Sequence, residues 1–160
     1  MIFRTFIIAA LAAVLWISPA NAAITPGQKA PALVVTDLQG HKFDLQAQQG
    51  KTVVVTLWAS WCPPCLEEIP VLNDFYRKYH SKGIEVLALS LDRPQDRDAM
   101  KKTAAKMAYP AAMSSDASAN DFDTAGSLPV TYVIDAKGNV SAVFDEEPVT
   151  ERELVKGVFK

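Results

Sequence analysis

Apolar and polar positions change period several times along this 160-residue chain. Residues 33–36 and 42–45 read as two short strands around Asp37-Leu38-Gln39-Gly40. Gly40 is free to take positive φ there, so a β-hairpin is expected. Residues 46–51 are a polar connection containing Gly50. Val53-Val54-Val55-Thr56-Leu57-Trp58 is a near-continuous apolar run. That pattern suits a strand buried on both faces, as in the middle of a parallel sheet. From Leu66 the period changes to helical: Leu66, Ile69, Leu72, Asn73, Tyr76 and Tyr79 fall on one face, with Glu67, Asp74, Arg77 and Lys78 off it. Pro70 lies inside this pattern and is expected to kink the helix rather than end it, because the period continues beyond it. Ser81-Lys82-Gly83 closes the helix with a C-terminal glycine.

Residues 84–91 form a second apolar strand. Two strands joined by one helix make a βαβ unit, so these two are expected to be parallel. Asp92-Arg93-Pro94 turns into a second helix reaching about Met107, with Ala99, Met100, Ala104 and Met107 inward and Lys101, Lys102 and Lys106 outward. Residues 114–126, rich in Ser, Asp, Ala and Asn, read as loop with at most one helical turn. Residues 130–134 and 140–144 read as strands joined by Asp135-Ala136-Lys137-Gly138-Asn139, a strong hairpin signal. Thr150-Glu151-Arg152-Glu153 is a capping box that opens a last helix through Leu154, Val155 and Val158. The chain has no internal repeat and no linker long enough to divide it.

The first residues do not belong to this folded pattern. Arg4 precedes an apolar block over residues 6–17, shorter than the ~20 residues a membrane span needs. Pro19 breaks it, and Ala20-Asn21-Ala22 reads as a small-residue cleavage site, so residues 1–22 are expected to be a signal peptide and 23–160 the folded domain. The alternative is an uncleaved anchor. Export points to an oxidising compartment, the bacterial periplasm foremost. Without residues 1–22 the chain carries 15 basic and 18 acidic side chains, a net charge of −3. That weak acidity argues against nucleic acid or an anionic membrane surface as partner.

Apolar residues make up 49% of the chain, enough for a core without disulfide staples. Its two cysteines, Cys62 and Cys65, therefore point to chemistry. They stand where the strand ending at Trp58 gives way to the helix. A residue just ahead of a helix meets free backbone N–H groups and the positive end of the helix dipole, which favour a thiolate. Cys62 has that place and is assigned as nucleophile; Cys65, one turn in, as the resolving cysteine of a redox-active disulfide. Pro63 and Pro64 contribute no N–H and no charge. The Cys62 pKa is thus expected to be only modestly depressed, well above the ~3.5 of a strong oxidant such as DsbA, which points to a reductant. A zinc site would need two more ligands; the only histidines, His41 and His80, lack ligand spacing to the cysteines, so no metal or other cofactor is expected. Trp58 ends a buried strand and is assigned to the core; Trp61, beside Cys62, is assigned to the surface as an apolar platform for partner proteins.

The segment Leu57-Trp58-Ala59-Ser60-Trp61-Cys62-Pro63-Pro64-Cys65-Leu66-Glu67-Glu68-Ile69-Pro70 resembles the active-site region of TlpA-like thioredoxin-fold proteins, the exported reductase group that includes ResA and CcmG/DsbE. The resemblance extends to Ala30-Pro31, to the turn Asp37-Leu38-Gln39-Gly40 and to Leu128-Pro129-Val130-Thr131-Tyr132-Val133-Ile134-Asp135. It implies an α/β thioredoxin fold: a mixed central sheet flanked by helices, with an N-terminal β-hairpin extension. It implies that Pro129 is cis, packs beside the cysteines, and with Leu128 and Trp61 binds substrate. It also implies an exported disulfide-containing protein as substrate and a membrane electron donor of the DsbD or CcdA type; a monomer is expected, and cytochrome c maturation is one task such a protein serves.

Two departures from the resemblance matter. Thioredoxin has a buried aspartate six residues before its first cysteine, where this chain has Thr56, which cannot titrate. Glu68, one turn after Cys65, is the candidate replacement, since ResA-like members use a glutamate at this offset to set cysteine acidity; the alternative is an ordinary first-turn glutamate. Glu67 is assigned no role. The second departure is Asp145-Glu146-Glu147-Pro148, where relatives commonly have a glycine near Glu147. Acids on that rim would disfavour a thiolate and favour a basic partner. The rival readings are a disulfide oxidant of the DsbA kind, a peroxidase, a Sco-like copper-binding module, which would need Cys-x-x-x-Cys, and a redox-inert interaction domain.

Overall fold

The structure, a computed structural model, describes residues 23–122, 124, 126–145 and 147–159. The expected signal peptide over residues 1–22, and Glu146, lie outside the described residues. The chain builds strands β1 (Leu33–Thr36), β2 (Lys42–Asp44) and β3 (Thr52–Trp58), helix α1 (Pro63–Tyr79), strand β4 (Ile84–Ser90) and helix α2 (Arg97–Ala104). Strands β5 (Ala111–Met113), β6 (Ala117–Asn120), β7 (Val130–Ile134) and β8 (Val140–Asp145) follow, then helix α3 (Glu151–Val158).

Five strands form the central sheet in the order β5-β4-β3-β7-β8. β3, β4 and β5 run parallel, while β7 and β8 are antiparallel to their neighbours, so the sheet is mixed. Side chains alternate across β3. Val54 and Trp58 join a core with Leu72, Phe75, Met100 and Leu154 from the three helices. Val53, Val55 and Leu57 face the other way, into a second core with Leu33, Val35, Leu45 and Phe122. A three-stranded sheet, β2-β1-β6, supplies much of that second cover. The expected hairpin is thus the lid of one face, and the apolar pattern of β3 reflects burial on both.

Several boundaries differ from the sequence reading, each for a local reason. α1 begins at Pro63, because proline is tolerated in the first turn, where its missing N–H would have no partner. It runs on through Pro70 to Tyr79. The buried face then includes Cys65, Glu68 and Phe75, while Leu66, expected inward, is 38% exposed. β2 ends at Asp44, whose carboxylate accepts from the Gln46 N–H and opens a 3-10 turn over Leu45–Gln48. α2 stops at Ala104 and leaves Ala99 exposed; Met100 and Ala104 carry its packing. β5 and β6 had no alternating signal. The short Ala117–Asn120 segment becomes a strand only because β1 offers it an edge.

Two ends of the sheet serve different purposes. At the β7–β8 turn the lead-in is strapped down: the Gly27 N–H donates to Val140 O (2.8 Å), and the Ala30 N–H to Gly138 O (3.0 Å). At the opposite end β3 stops at Trp58 and delivers the cysteines. Among the described residues, no helix is long and apolar enough to cross a membrane.

Candidate active site

The strand-to-helix connection is a tight turn, closed by the Cys62 N–H donating to Ala59 O (3.1 Å). Its start is tied to β4 by the Leu91 N–H, which donates to Trp58 O (2.8 Å). Inside the turn the Ser60 N–H (2.9 Å) and hydroxyl (2.6 Å) both donate to the Asp92 carboxylate. Cys62 is then the N-cap of α1, in extended conformation. Its sulfur accepts from the Cys65 N–H at 3.3 Å. Pro63 and Pro64 lie between, so Cys65 is the first backbone donor of the helix, as the two prolines led us to expect.

Cys62 and Cys65 form a disulfide. An attacking thiolate must be reached by its substrate, yet in this oxidised form Cys62 is 5% and Cys65 2% exposed. Cys62 borders a groove of about 410 Å³ lined by Trp61, Pro63, Leu91, Ser127 and Leu128. Trp61 is 64% exposed on its rim, whereas Trp58 is buried, as their positions predicted. The Leu128–Pro129 peptide is cis, as the resemblance implies. The register pairs Leu57 with Val130, so Pro129 stands level with Trp58, at the dithiol end of the sheet.

Glu68 is 2% exposed, one helical turn beyond Cys65 on the same buried face. This excludes an ordinary solvated first-turn glutamate. Its Oε2 accepts from the Thr56 hydroxyl (3.0 Å), and its Oε1 from the Thr131 hydroxyl (3.2 Å) and the Val149 N–H (3.0 Å). Burial pushes its pKa above the ordinary glutamate value, and those three donors only partly offset it. The phenol of Tyr109 is likewise pushed up, first by burial and then by the Glu68 charge. Thr56 therefore does not titrate, but it holds the carboxyl group that α1 brings to the same place.

Thr131 and Val149 were not singled out from sequence. Thr131 had a signal: a hydroxyl inside an otherwise apolar buried strand needs a partner. Val149 had none, because it acts through its backbone. Glu67 is exposed. Asp145, at the end of β8, pairs with Val130 beside the cis proline, and both Asp145 and Glu147 are exposed. His41 and His80 lie elsewhere, paired with Asp37 (3.3 Å) and Glu85 (3.4 Å). Among the described residues, no group of three or more His, Cys, Asp or Glu could hold a metal ion.

The AhpC/TSA family matches residues 26–143. The thiol-disulfide oxidoreductase ResA of Bacillus cereus (strain ZK / E33L) is 35% identical over 71% of this chain and 66% of its own length, so the match spans just under two thirds of that relative. ResA of Bacillus thuringiensis subsp. konkukian (strain 97-27) is 36% identical, over 79% of this chain and 73% of that protein. A solved Chlorobium tepidum structure, assigned as the thiol:disulfide interchange protein DsbE, superposes with a TM-score of 0.72 at 28% identity, covering 84% of this chain and 96% of that one.

Proposed function

We propose a function on the premise that this chain belongs to the AhpC/TSA family, and within it to the ResA- and DsbE-like thiol–disulfide oxidoreductases: it is a disulfide reductase working outside the cytoplasm, in the periplasm. The leader pattern over residues 1–22 supports export, with cleavage after Ala22 releasing residues 23–160 as a thioredoxin-like domain, or with the leader retained as an anchor. The substrate is an exported protein containing a disulfide, met by a monomer.

The cycle starts from the dithiol. The Cys62 thiolate attacks one sulfur of the substrate disulfide, forming a mixed disulfide and expelling one substrate thiolate. The Cys65 thiol loses its proton and attacks the Cys62 sulfur, which closes the Cys62–Cys65 disulfide and expels the second substrate thiolate. Two electrons pass to the substrate. Glu68, neutralisable because it is buried, takes the Cys65 proton and tunes cysteine acidity. Trp61, Leu128 and Pro129 carry the substrate segment in the groove beside Cys62. Asp145 and Glu147 on the rim favour a partner with a basic patch. A membrane donor of the DsbD or CcdA type returns the two electrons; reduction of Cys-x-x-Cys-His segments before haem attachment is one task that fits.

One observation carries the direction of the reaction. The Cys62 sulfur accepts from one backbone N–H, that of Cys65, because both intervening residues are prolines. A thiolate with so little support leaves the reduced form weakly stabilised, hence reducing. Equilibration with glutathione tests this. A potential near thioredoxin's ~−270 mV is expected, and one near DsbA's ~−120 mV would make the protein an oxidant. In the same protein, Cys65→Ser should trap the substrate on Cys62.

A further inference from the structure

Asp92 has no part in the chemistry above, yet the residue is buried, 4% exposed, and its carboxylate lies behind the turn that carries the dithiol. Three donors converge on it. Ser60 supplies its backbone N–H and its hydroxyl, at 2.9 and 2.6 Å, and Ser90 supplies its hydroxyl at 2.7 Å. The Asp92 N–H returns a bond to the Ser90 oxygen (3.0 Å), so the carboxylate is fixed from behind by the end of β4. Ser60 in turn sits inside the turn closed by Cys62 and Ala59.

We propose that Asp92 is the positioning residue of the dithiol: through Ser60 it fixes the turn that seats Cys62 as the N-cap of α1. The role rests on the thiol–disulfide reading of Cys62 and Cys65. A carboxylate suits it because three hydrogen-bond donors meet there, and ionised acceptors make the shorter and stronger bonds. β4 is buried and paired on both sides, so the turn inherits the rigidity of the sheet. Release of Ser60 frees the residues before Cys62 and withdraws its sulfur from the Cys65 N–H. The same turn directs Trp61 outward, 64% exposed, beside the groove. Asp92 contributes no proton; it acts on Cys62 only by holding Ser60.

Asp92→Asn is the conservative variant. Its amide oxygen can take the Oδ2 place, accepting from the Ser60 N–H and the Ser90 hydroxyl, while its NH2 donates to a rotated Ser60 hydroxyl. The test follows iodoacetamide alkylation of Cys62 against pH in reduced protein carrying Cys65→Ser, beside reduction of an aromatic model disulfide by the intact dithiol. In Asp92→Ala the alkylation midpoint should rise by about one unit, roughly tenfold less thiolate at neutral pH. In Asp92→Asn it should return to within about a factor of two in thiolate. Three results would overturn the role: an unmoved midpoint in Asp92→Ala, a midpoint in Asp92→Asn as high as in Asp92→Ala, or midpoints lowered in both, which would mean that the charge acts and not the geometry. If Asp92→Ala does not fold, Ser60→Ala, which removes one of the two Ser60 donors, should raise the midpoint by a smaller amount, and no change there would overturn it as well. Failure of the wild-type protein to reduce the model disulfide would instead remove the oxidoreductase reading, so the two failures are separate.

Discussion

At the scale of single residues, the most consequential group is the Glu68 carboxyl, buried beside the disulfide-bearing turn of α1. Its raised pKa means that the folded protein holds this proton more tightly than the unfolded chain does. Stability is therefore undiminished below the ordinary glutamate value of 4.5, falls as pH rises from there, and levels off above the folded-state pKa. Glu68→Gln keeps an oxygen for the Val149 N–H and loses the titration. Its urea midpoint should vary less with pH across that window, and a dependence identical to wild type would assign the fall to another group. The same substitution should slow closure of the Cys62–Cys65 disulfide by about a hundredfold, the low end for a lost proton acceptor, with formation of the mixed disulfide less affected.

At the scale of elements, the first turn of α1 decides how acidic Cys62 is. An N-cap side chain accepts from the second or third residue of the helix, here Pro64 or Cys65. Pro64→Ala restores the missing donor. It should lower the Cys62 pKa by about 0.2 to 0.7 unit, from the roughly 0.3–1 kcal/mol for charge at a helix N-terminus, and move the potential toward the oxidising side. Alkylation of reduced protein reads the pKa, and an unchanged value would show that the prolines do not limit this thiolate. The other end of the fold is set by close contact. α3 lies so near β7 and β8 that a Cβ on Gly157 would come within 3.1 Å of Ala142 Cβ and 3.2 Å of Val133 Cγ2. That approach, with the capping box at Thr150, fixes where the chain leaves Val149 and so where its N–H meets Glu68.

At the scale of the whole molecule, the sheet separates the anchoring of the chain from its chemistry. The lead-in is bound at the β7–β8 turn, and the dithiol stands at the opposite end of β3. Ala30, at the lead-in, is buried in the core under the three-stranded sheet. Ala30→Asp places an unpaired charge there, at a cost of about 3 kcal/mol, so Tm should drop by several degrees. The Cys62 alkylation profile of the folded variant should stay as in wild type. A shifted profile would show that the two ends are coupled. Helices on one face and a small sheet on the other also explain why the middle strands are apolar at nearly every position: neither face meets water.

The sequence by itself determined what local chemistry dictates. The Cys62–Cys65 spacing, the two prolines between them, the strand before and the helix after, the βαβ unit and the Thr150 capping box were all legible, because each depends on residues within a few positions of one another. The tertiary structure alone decided which distant groups complete the site. Glu68 is held by Thr131 and Val149, 63 and 81 residues further on, and Ser60 by Asp92, 32 residues further on. Those pairings are fixed by the register of β3 against β4 and β7 and by the docking of α3, which no local period encodes. β6 was invisible for the same reason: its small polar residues become a strand only when β1 presents an unpaired edge. Leu66 shows the converse. Its place in the apolar period pointed inward, but the face that α1 buries was chosen by where the sheet and Glu68 sit, and Leu66 was left at the surface.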